Sequence, residues 1–336
     1  MAAVIATRLF RVSTPEAIEP DLAALWREIT ESGAPIARAV MSNLVVFRRA
    51  APASSAATLT IDPPVEEVLA RHPSRLIVLE HEHVERAAGA PFAAGVGIAV
   101  FGPEHARYGV EQIVARAACT DLALPSIVRR FIRGDLPTTV WWTEDLSQLP
   151  PPSALVTMGR QLLYDSRQWS DVAGGVRAIE PLVGDRHADL ADLNWRRLTP
   201  VRRALAHARH AGGLAVLPHD ATVHVAHRPG DSALAWLLAG TLMAGQKGPA
   251  VPPPRVDDSA PDDAVLLLTI RSGSSETTVT LTAQAVAVDE GSGTPLVVTV
   301  PVEHEADAVA AELRTLSQDA DLGAAIRALD RHLNAQ

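Results

Sequence analysis

A dense run of polar and aromatic side chains occupies residues 192–202, with the sequence DLNWRRLTPVR. Its aspartate and asparagine suit the start of a helix, and Pro200 suits the first turn of a following helix. Its arginines could bind a carboxylate or a phosphate, or they could simply solvate a helix face. Because aromatic and arginine side chains dominate the binding energy of protein interfaces, we interpret this run as a recognition segment. Its candidate contact residues are Trp195, Arg196, Arg197 and Arg202.

Two adjacent tryptophans, Trp141 and Trp142, end a predicted strand that begins at Thr138. Strand side chains alternate between two faces, so one indole belongs in the core and the other points the opposite way. An exposed indole needs a cover, which could be a second domain or a partner protein. We expect Trp142 to contact a partner, with a domain interface as the alternative.

Histidines are the candidate metal ligands. His81 and His83 share one face of a predicted strand, and other nitrogen ligands for zinc or nickel could come from His219, His224 and His227. No aspartate or glutamate is spaced along the chain to complete a set, and a chain with 12 histidines contains such pairs by chance. The sequence therefore predicts no metal site and no cofactor.

Familiar catalytic motifs are absent from the sequence. It contains no Gly-x4-Gly-Lys-Ser/Thr phosphate loop, no Gly-x-Ser-x-Gly elbow and no His-Glu-x-x-His helix. The glycines of residues 95–102 miss the dinucleotide-binding spacing by two residues and lie within an apolar run. Cys119 has no Cys-x-x-Cys partner and is expected to be a buried thiol. We therefore predict that the chain is not an enzyme.

Four short motifs follow one another along the chain: HPSR at residues 72–75, DLP at 135–137, the tryptophan pair, and DLNWRRLTP at 192–200. Each is weak alone, but their order and spacing together are specific. With them the chain resembles the OpcA family of glucose-6-phosphate dehydrogenase assembly proteins, although residues 1–40 match poorly. The resemblance implies a non-catalytic protein of the oxidative pentose phosphate pathway. Such a protein binds glucose-6-phosphate dehydrogenase and acts as an allosteric activator that favours its active oligomer.

A competing hypothesis is a sugar-phosphate-binding protein or enzyme. In this hypothesis Arg75, Arg196 and Arg202 hold the phosphate, and Asp165 or Asp192 acts as a general acid or base. Calorimetry with glucose 6-phosphate and 6-phosphogluconate, without any dehydrogenase, distinguishes the two functions. Saturable binding favours the sugar-phosphate protein, and no binding favours the assembly protein.

Composition limits the partners and the compartment. With 39 acidic and 30 basic side chains the net charge is −9, which disfavours nucleic acid as a partner. The single cysteine excludes an intramolecular disulfide and fits a reducing cytoplasm. The N-terminus lacks the features of a secretory signal, and the longest apolar run, residues 233–245, is shorter than the roughly 20 residues of a membrane span. We therefore expect a soluble, cytoplasmic protein.

Residues 1–150 alternate between helical and strand patterns, which predicts an α/β layer. The strand-like runs at residues 76–79 and 95–101 are expected to pair. Prolines 150–152 form the first clear breaker, and we place a domain boundary there, because the 336-residue chain exceeds the usual size of one core. The helices predicted in this half cover residues 20–30, 63–71 and 122–133, and the other strands cover 40–47, 108–115 and 138–142.

Residues 151–336 are expected to form an α+β domain. A helix from Ser153 to Leu162 precedes a short strand, the recognition segment and a helix that reaches about Arg209. Four short strands between residues 265 and 300 then predict an antiparallel meander, and two closing helices are expected to cover one of its faces. The complete prediction is an α/β protein of two domains, residues 1–150 and 151–336.

Overall fold

The structure is a computed structural model that describes residues 7–33, 35–50, 61–85, 92–184, 188–210, 221–244, 254–291, 294–316 and 319–335. Within these residues the backbone forms a nine-stranded and a six-stranded sheet. The strands of the first sheet are β1 (Thr7–Ser13), β2 (Ile36–Arg38), β3 (Ser42–Arg49), β4 (Ser74–His83), β5 (Phe92–Phe101), β6 (Arg107–Cys119), β7 (Thr138–Trp142), β8 (Gln161–Tyr164) and β9 (Asp189–Asp192). Those of the second are β10 (Thr222–His227), β11 (Arg255–Asp257), β12 (Leu266–Ser272), β13 (Ser275–Leu281), β14 (Ala285–Asp289) and β15 (Leu296–Thr299).

Both sheets have mixed strand directions. In the first sheet the order is β1-β5-β6-β4-β3-β7-β8-β9, with β2 beside β6, and β4, β3, β7, β8 and β9 run parallel. In the second the order is β11-β10-β12-β13-β14-β15, and the strands from β10 onward in this order pair antiparallel. The helices are α1 (Ile18–Glu31), α2 (Pro63–Arg71), α3 (Leu124–Arg129), α4 (Ser153–Val156), α5 (Val172–Ile179), α6 (Leu193–Arg197), α7 (Thr199–His210), α8 (Ser232–Ala244), α9 (Glu305–Arg314) and α10 (Ala320–Leu333).

The first sheet is covered on both faces. Alternate residues of β3 divide between two cores: Val45 and Phe47 belong to one, and Leu44 and Val46 belong to the other. Helices α2 and α9 pack over the Leu44 face. The other core runs on without a break into the inner face of the second sheet, for example to Leu268. Burial on both faces explains the almost continuous apolar character of these parallel strands.

The predicted fold class is confirmed, because a largely parallel α/β sheet is followed by a separate and mostly antiparallel sheet. The helices that pack on the second sheet are, however, α7 and α8. Of the two closing helices, α9 packs on α2, and α10 packs on α8 and α5. Gly240 of α8 permits this approach, since a Cβ atom there would lie 2.8 Å from the carbonyl oxygen of Ala325 in α10.

Three local predictions are wrong. Strands β4 and β5 share a sheet without pairing, because β6 lies between them. The predicted helix from Ser153 to Leu162 ends at Val156, since the chain turns at Gly159 to enter β8. The helix expected over residues 122–133 begins with a 3₁₀ turn at Asp121–Ala123, and α3 ends at Arg129.

The predicted domain boundary at residues 150–151 stays a prediction. Strands β8 and β9 follow this point, yet they extend the first sheet. The chain therefore passes from the first sheet to the second between Asp192 and Thr222, and one hydrophobic core contains residues of both sheets. Across the part of the chain that the structure describes, no helix combines the length and apolar character needed to cross a membrane.

Candidate functional site

The recognition segment begins at the carboxyl end of β9. Asp192 is buried, and its Oδ1 accepts hydrogen bonds from the backbone N–H groups of Asn194 (2.9 Å) and Ser166 (3.0 Å). The first bond caps α6, as expected of an aspartate before a helix. The Asn194 amide also donates to the Ser166 hydroxyl at 3.0 Å. The segment is therefore fixed to the turn that follows β8 before its arginines begin.

Arg196 is held by two carboxylates of the same chain. Its guanidinium forms a fork with Glu303, with both N–O distances at 2.8 Å, and its Nη1 lies 3.0 Å from Glu312 at the end of α9. The hydrogen bonds that Arg196 donates to Glu303 are the largest cause that raises the pKa of Arg196 above its ordinary value. Arg197 donates to Asn194 and pairs with Asp231, just ahead of α8, both at 2.9 Å.

Trp195 and Arg202 form one stacked unit with the start of α10. Trp195 is 3% exposed, and its indole N–H donates to Asp319 at 2.7 Å. The guanidinium of Arg202 lies 4.2 Å from the centre of the Trp195 ring and 3.8 Å from the Asp319 carboxylate. Asp319 also caps α10 through the N–H groups of Asp321 and Leu322. The segment thus joins α8, α9 and α10 within the chain.

Trp142 is not available to a partner. It is 1% exposed, it stacks on Phe47 with ring centroids 3.8 Å apart, and its N–H donates to the carbonyl of Leu149 at 3.0 Å. Trp141 is buried as well, on the opposite face of the sheet. The expectation of one exposed indole was wrong, because the two indoles point to opposite faces of the first sheet and each face is covered by a buried core.

The phosphate grip of the competing hypothesis is not formed. Arg75 is 1% exposed, and its guanidinium pairs with Glu111 at 2.6 Å and with Glu19. Its Nε also donates to the carbonyl of Phe131 at 2.7 Å. Arg75, Arg196 and Arg202 each pair with different carboxylates, so a phosphate would have to displace three separate sets of ion pairs. Of the two proposed acids, Asp165 pairs with Arg167 and Asp192 is the buried cap of α6.

Three polar atoms near the ends of β8 and β9 are buried without a hydrogen-bond partner among the described residues: Tyr164 Oη, Trp169 Nε1 and Asp192 Oδ2. Burial is the largest cause that raises the pKa of Asp192 to about 7. Tyr164 and Asp192 are paired residues of neighbouring parallel strands. Carboxyl ends of parallel strands are where open α/β sheets bind ligands, but these atoms are enclosed.

At the same edge of the sheet, the structure brings an aspartate to the predicted histidine pair. Asp121 Oδ1 lies 2.9 Å from His83 Nδ1 and 3.8 Å from His81 Nε2. Of the other predicted ligands, His224 pairs with Asp257 at 2.8 Å, and His227 Nδ1 contacts the carbonyl of Arg228. His219 lies outside the described residues. Asp121 was missed because it follows a different strand, and sequence spacing does not reveal that β4 and β6 pair.

Two family models match the chain. One, described as the glucose-6-phosphate dehydrogenase subunit N-terminal domain of OpcA, matches residues 65–180. The other, described as the corresponding C-terminal domain, matches residues 188–326. The chain belongs to the OpcA family. The recognition segment lies near the start of the second OpcA match, and its carboxylate partners Asp231, Glu303 and Asp319 lie within the same match.

No curated protein matches this OpcA chain. Solved structures that resemble it include an oxidoreductase from Thermotoga maritima, at 9% identity and a TM-score of 0.42, covering 86% of this chain and 93% of that one. UDP-N-acetylglucosamine 3-dehydrogenase GnnA from Acidithiobacillus ferrooxidans matches at 14% identity and 0.37, covering 88% and 97%. A myo-inositol dehydrogenase from Corynebacterium glutamicum matches at 12% and 0.37, covering 88% and 96%. Likenesses this remote carry no argument about function.

Proposed function

We propose that this OpcA protein binds glucose-6-phosphate dehydrogenase in the cytoplasm and favours its active oligomer, without catalysing a reaction itself. The observation that carries the proposal is the match of both family models, each described as part of a glucose-6-phosphate dehydrogenase subunit, over residues 65–180 and 188–326. The pairing of the candidate phosphate-binding arginines with carboxylates of the chain adds support, because a phosphate would have to displace those ion pairs.

Activation by binding alone requires a difference in affinity. If the protein binds the competent form of the dehydrogenase more tightly than the other form, mass action shifts the population toward the competent form. A difference of about 1–3 kcal/mol changes that equilibrium by roughly 5- to 150-fold. No catalytic group from this chain is needed for an effect of that size.

We place the contact surface on the exposed parts of Arg196, Arg197 and Arg202. Their side chains are 31%, 29% and 21% exposed, and neighbouring carboxylates hold each in one orientation. A side chain that is already ordered loses less conformational entropy on binding. Trp195 contributes indirectly, because its buried ring supports the guanidinium of Arg202.

Co-elution with the dehydrogenase from the same cell, followed by an activity titration, tests the function. We expect one complex on size exclusion, and a rise in dehydrogenase rate or in its affinity for glucose 6-phosphate that saturates. If the proteins elute separately and neither kinetic constant changes, the proposed function is wrong.

Substitution of Arg197 tests the surface separately. Arg197→Ala is expected to weaken the complex, whereas Arg271→Ala, which removes another ion-paired arginine from the second sheet, is the matched control. If both variants bind like the wild type, the function stands and only the placement of the surface fails.

A further inference from the structure

We propose that His81, His83 and Asp121 form a binding site for a first-row transition-metal ion such as Zn²⁺ or Co²⁺. The proposal goes beyond assembly with a dehydrogenase and does not depend on it. One ligand atom from each of the three residues lies within 4.8 Å of the other two. Two imidazoles and one carboxylate are a donor set that suits these ions better than Mg²⁺ or Ca²⁺, which prefer oxygen ligands alone.

Strand geometry brings the three donors together. His81 and His83 are two residues apart on β4, so their side chains lie on the same face. Strand β6 runs parallel to β4, with Cys119 opposite His83, and the 3₁₀ turn that starts at Asp121 comes directly after β6. Asp121 is therefore delivered to the histidines by the sheet rather than by local sequence.

Both imidazoles converge on one carboxylate oxygen. The distances from Asp121 Oδ1 are 2.9 Å to His83 Nδ1 and 3.8 Å to His81 Nε2. Two ligands that each lie about 2.1 Å from a zinc ion are at most about 4.2 Å apart, so both pairs already fit a shared ion. The histidine pair, within 4.8 Å, needs only a small rotation of the His83 side chain, which is 57% exposed.

The ion would replace two existing contacts, the His83 Nδ1–Asp121 Oδ1 hydrogen bond and a hydrogen bond of His81. His81 Nε2 now lies 2.9 Å from the carbonyl oxygen of Cys119, which requires the Nε2–H tautomer. Metal binding at Nε2 moves that proton to Nδ1 and leaves the Cys119 carbonyl as a neighbouring oxygen. The ring itself stays in place, because His81 is buried and lies 5.7 Å from the Phe47 ring.

Space and charge at this position fit a hydrated dication. A pocket of about 320 Å³ is lined by the three donors together with Arg49, Ala50, Glu82 and Leu149. The Asp121 carboxylate is itself one of the three donors, and its negative charge offsets part of the charge of a dication at this position. Three protein ligands leave coordination positions for water within the pocket, which is the arrangement of an open metal site.

Titration of tag-free protein with ZnSO₄ and with CoCl₂ tests the site, by calorimetry for both ions and by visible absorption for Co²⁺. We expect the wild type to bind one equivalent of metal ion saturably. The affinity for this ion should fall at least tenfold in His83→Ala and in Asp121→Asn, because loss even of a residue that only supports a metal ligand lowers metal affinity 10- to 100-fold. Both residues are substantially exposed, so these variants are expected to fold, and circular dichroism checks this.

His224→Ala is the matched control, since it removes one histidine from another close His–Asp pair, to Asp257. This variant should still bind the one equivalent of metal ion that the other two variants bind more weakly. The proposal is overturned if the wild type shows no saturable equivalent, or if His83→Ala and Asp121→Asn bind as the wild type does. It is also overturned if His224→Ala loses the same equivalent.

Discussion

Asp192 combines a structural role with an electrostatic cost. Its Oδ1 accepts two backbone hydrogen bonds, while its Oδ2 is buried with no partner among the described residues. Two N–H donors favour the carboxylate, but loss of hydration favours the neutral acid, and the second effect is larger because the pKa rises to about 7. At pH values below 7 the folded protein therefore carries a protonated Asp192.

This protonation predicts a pH-dependent effect of Asp192→Asn. A carboxyl whose pKa is raised on folding stabilises the fold fully below its unfolded pKa, and this contribution is lost as pH rises through the folded pKa. Between about pH 4 and pH 7 the wild type should lose about 4 kcal/mol from this group, as three pKa units at 1.36 kcal/mol each imply. Asparagine resembles the protonated acid and does not titrate. The free energy of unfolding of the variant minus that of the wild type should therefore be more positive at pH 8 than at pH 4.5.

Urea unfolding of both proteins at the two pH values measures this difference. Asp321→Asn serves as the control, because the Asp321 side chain is 82% exposed and its carboxylate stays hydrated when the protein folds. A difference in free energy of unfolding between Asp192→Asn and the wild type that is the same at pH 4.5 and pH 8 would contradict the assignment.

At the scale of single residues, local roles could be predicted from the sequence and long-range partners could not. Asp192 was expected to start a helix, and it caps α6. The sequence suggested a carboxylate as one partner for the arginines, but the acceptors of Arg196 lie 107 and 116 residues further along the chain and could not be identified from it. The same holds for Asp121, which is 38 residues from His83 and becomes its neighbour only when β4 and β6 pair.

At the scale of elements, Asp319 connects two helices. Its Oδ1 caps α10, and its Oδ2 accepts the indole N–H of Trp195 in α6. We expect Asp319→Ala to lower the free energy of unfolding by about 2–4 kcal/mol, since it removes a helix cap and leaves a buried donor without a partner. Chemical denaturation followed by tryptophan fluorescence gives the value.

The control for this substitution is Asp321→Ala, two residues further into the same helix. Its carboxylate is exposed and lies 3.9 Å from Arg202, so its loss should change stability by less than about 1 kcal/mol. If the two variants were equally stable, the Asp319 side chain that links α6 and α10 would contribute nothing measurable to the free energy of unfolding.

Element types were easier to predict than element contacts. Alternating patterns and glycine-containing turns predicted the meander strands, and apolar stripes predicted the two closing helices. The structure contains all of these elements. A stripe shows that one face of a helix is buried, but it does not identify the surface that buries it. The close approach of α10 to α8 at Gly240 depends on the absence of a side chain, which periodicity does not register.

At the scale of the whole molecule, one core connects the two sheets. It contains Ile77 of β4, Leu268 of β12 and Ile326 of α10, together with residues of α8. The recognition segment adds ion pairs from its arginines to α9 and α10. Two domains that share this much apolar surface should resist separation, unlike domains joined only by a polar linker.

This shared core predicts that damage in the second sheet destabilises the first. Leu268→Ala removes a fully buried side chain from β12 and should lower the free energy of unfolding by about 2–5 kcal/mol. If the molecule unfolds as one unit, amide hydrogen exchange measured through global unfolding should accelerate to the same extent in β4 as in β12. Ile77→Ala in β4 is the reciprocal variant and should affect β12 in the same way. Faster exchange confined to the sheet that carries the substitution, with two separate thermal transitions, would instead favour two sheets that unfold independently.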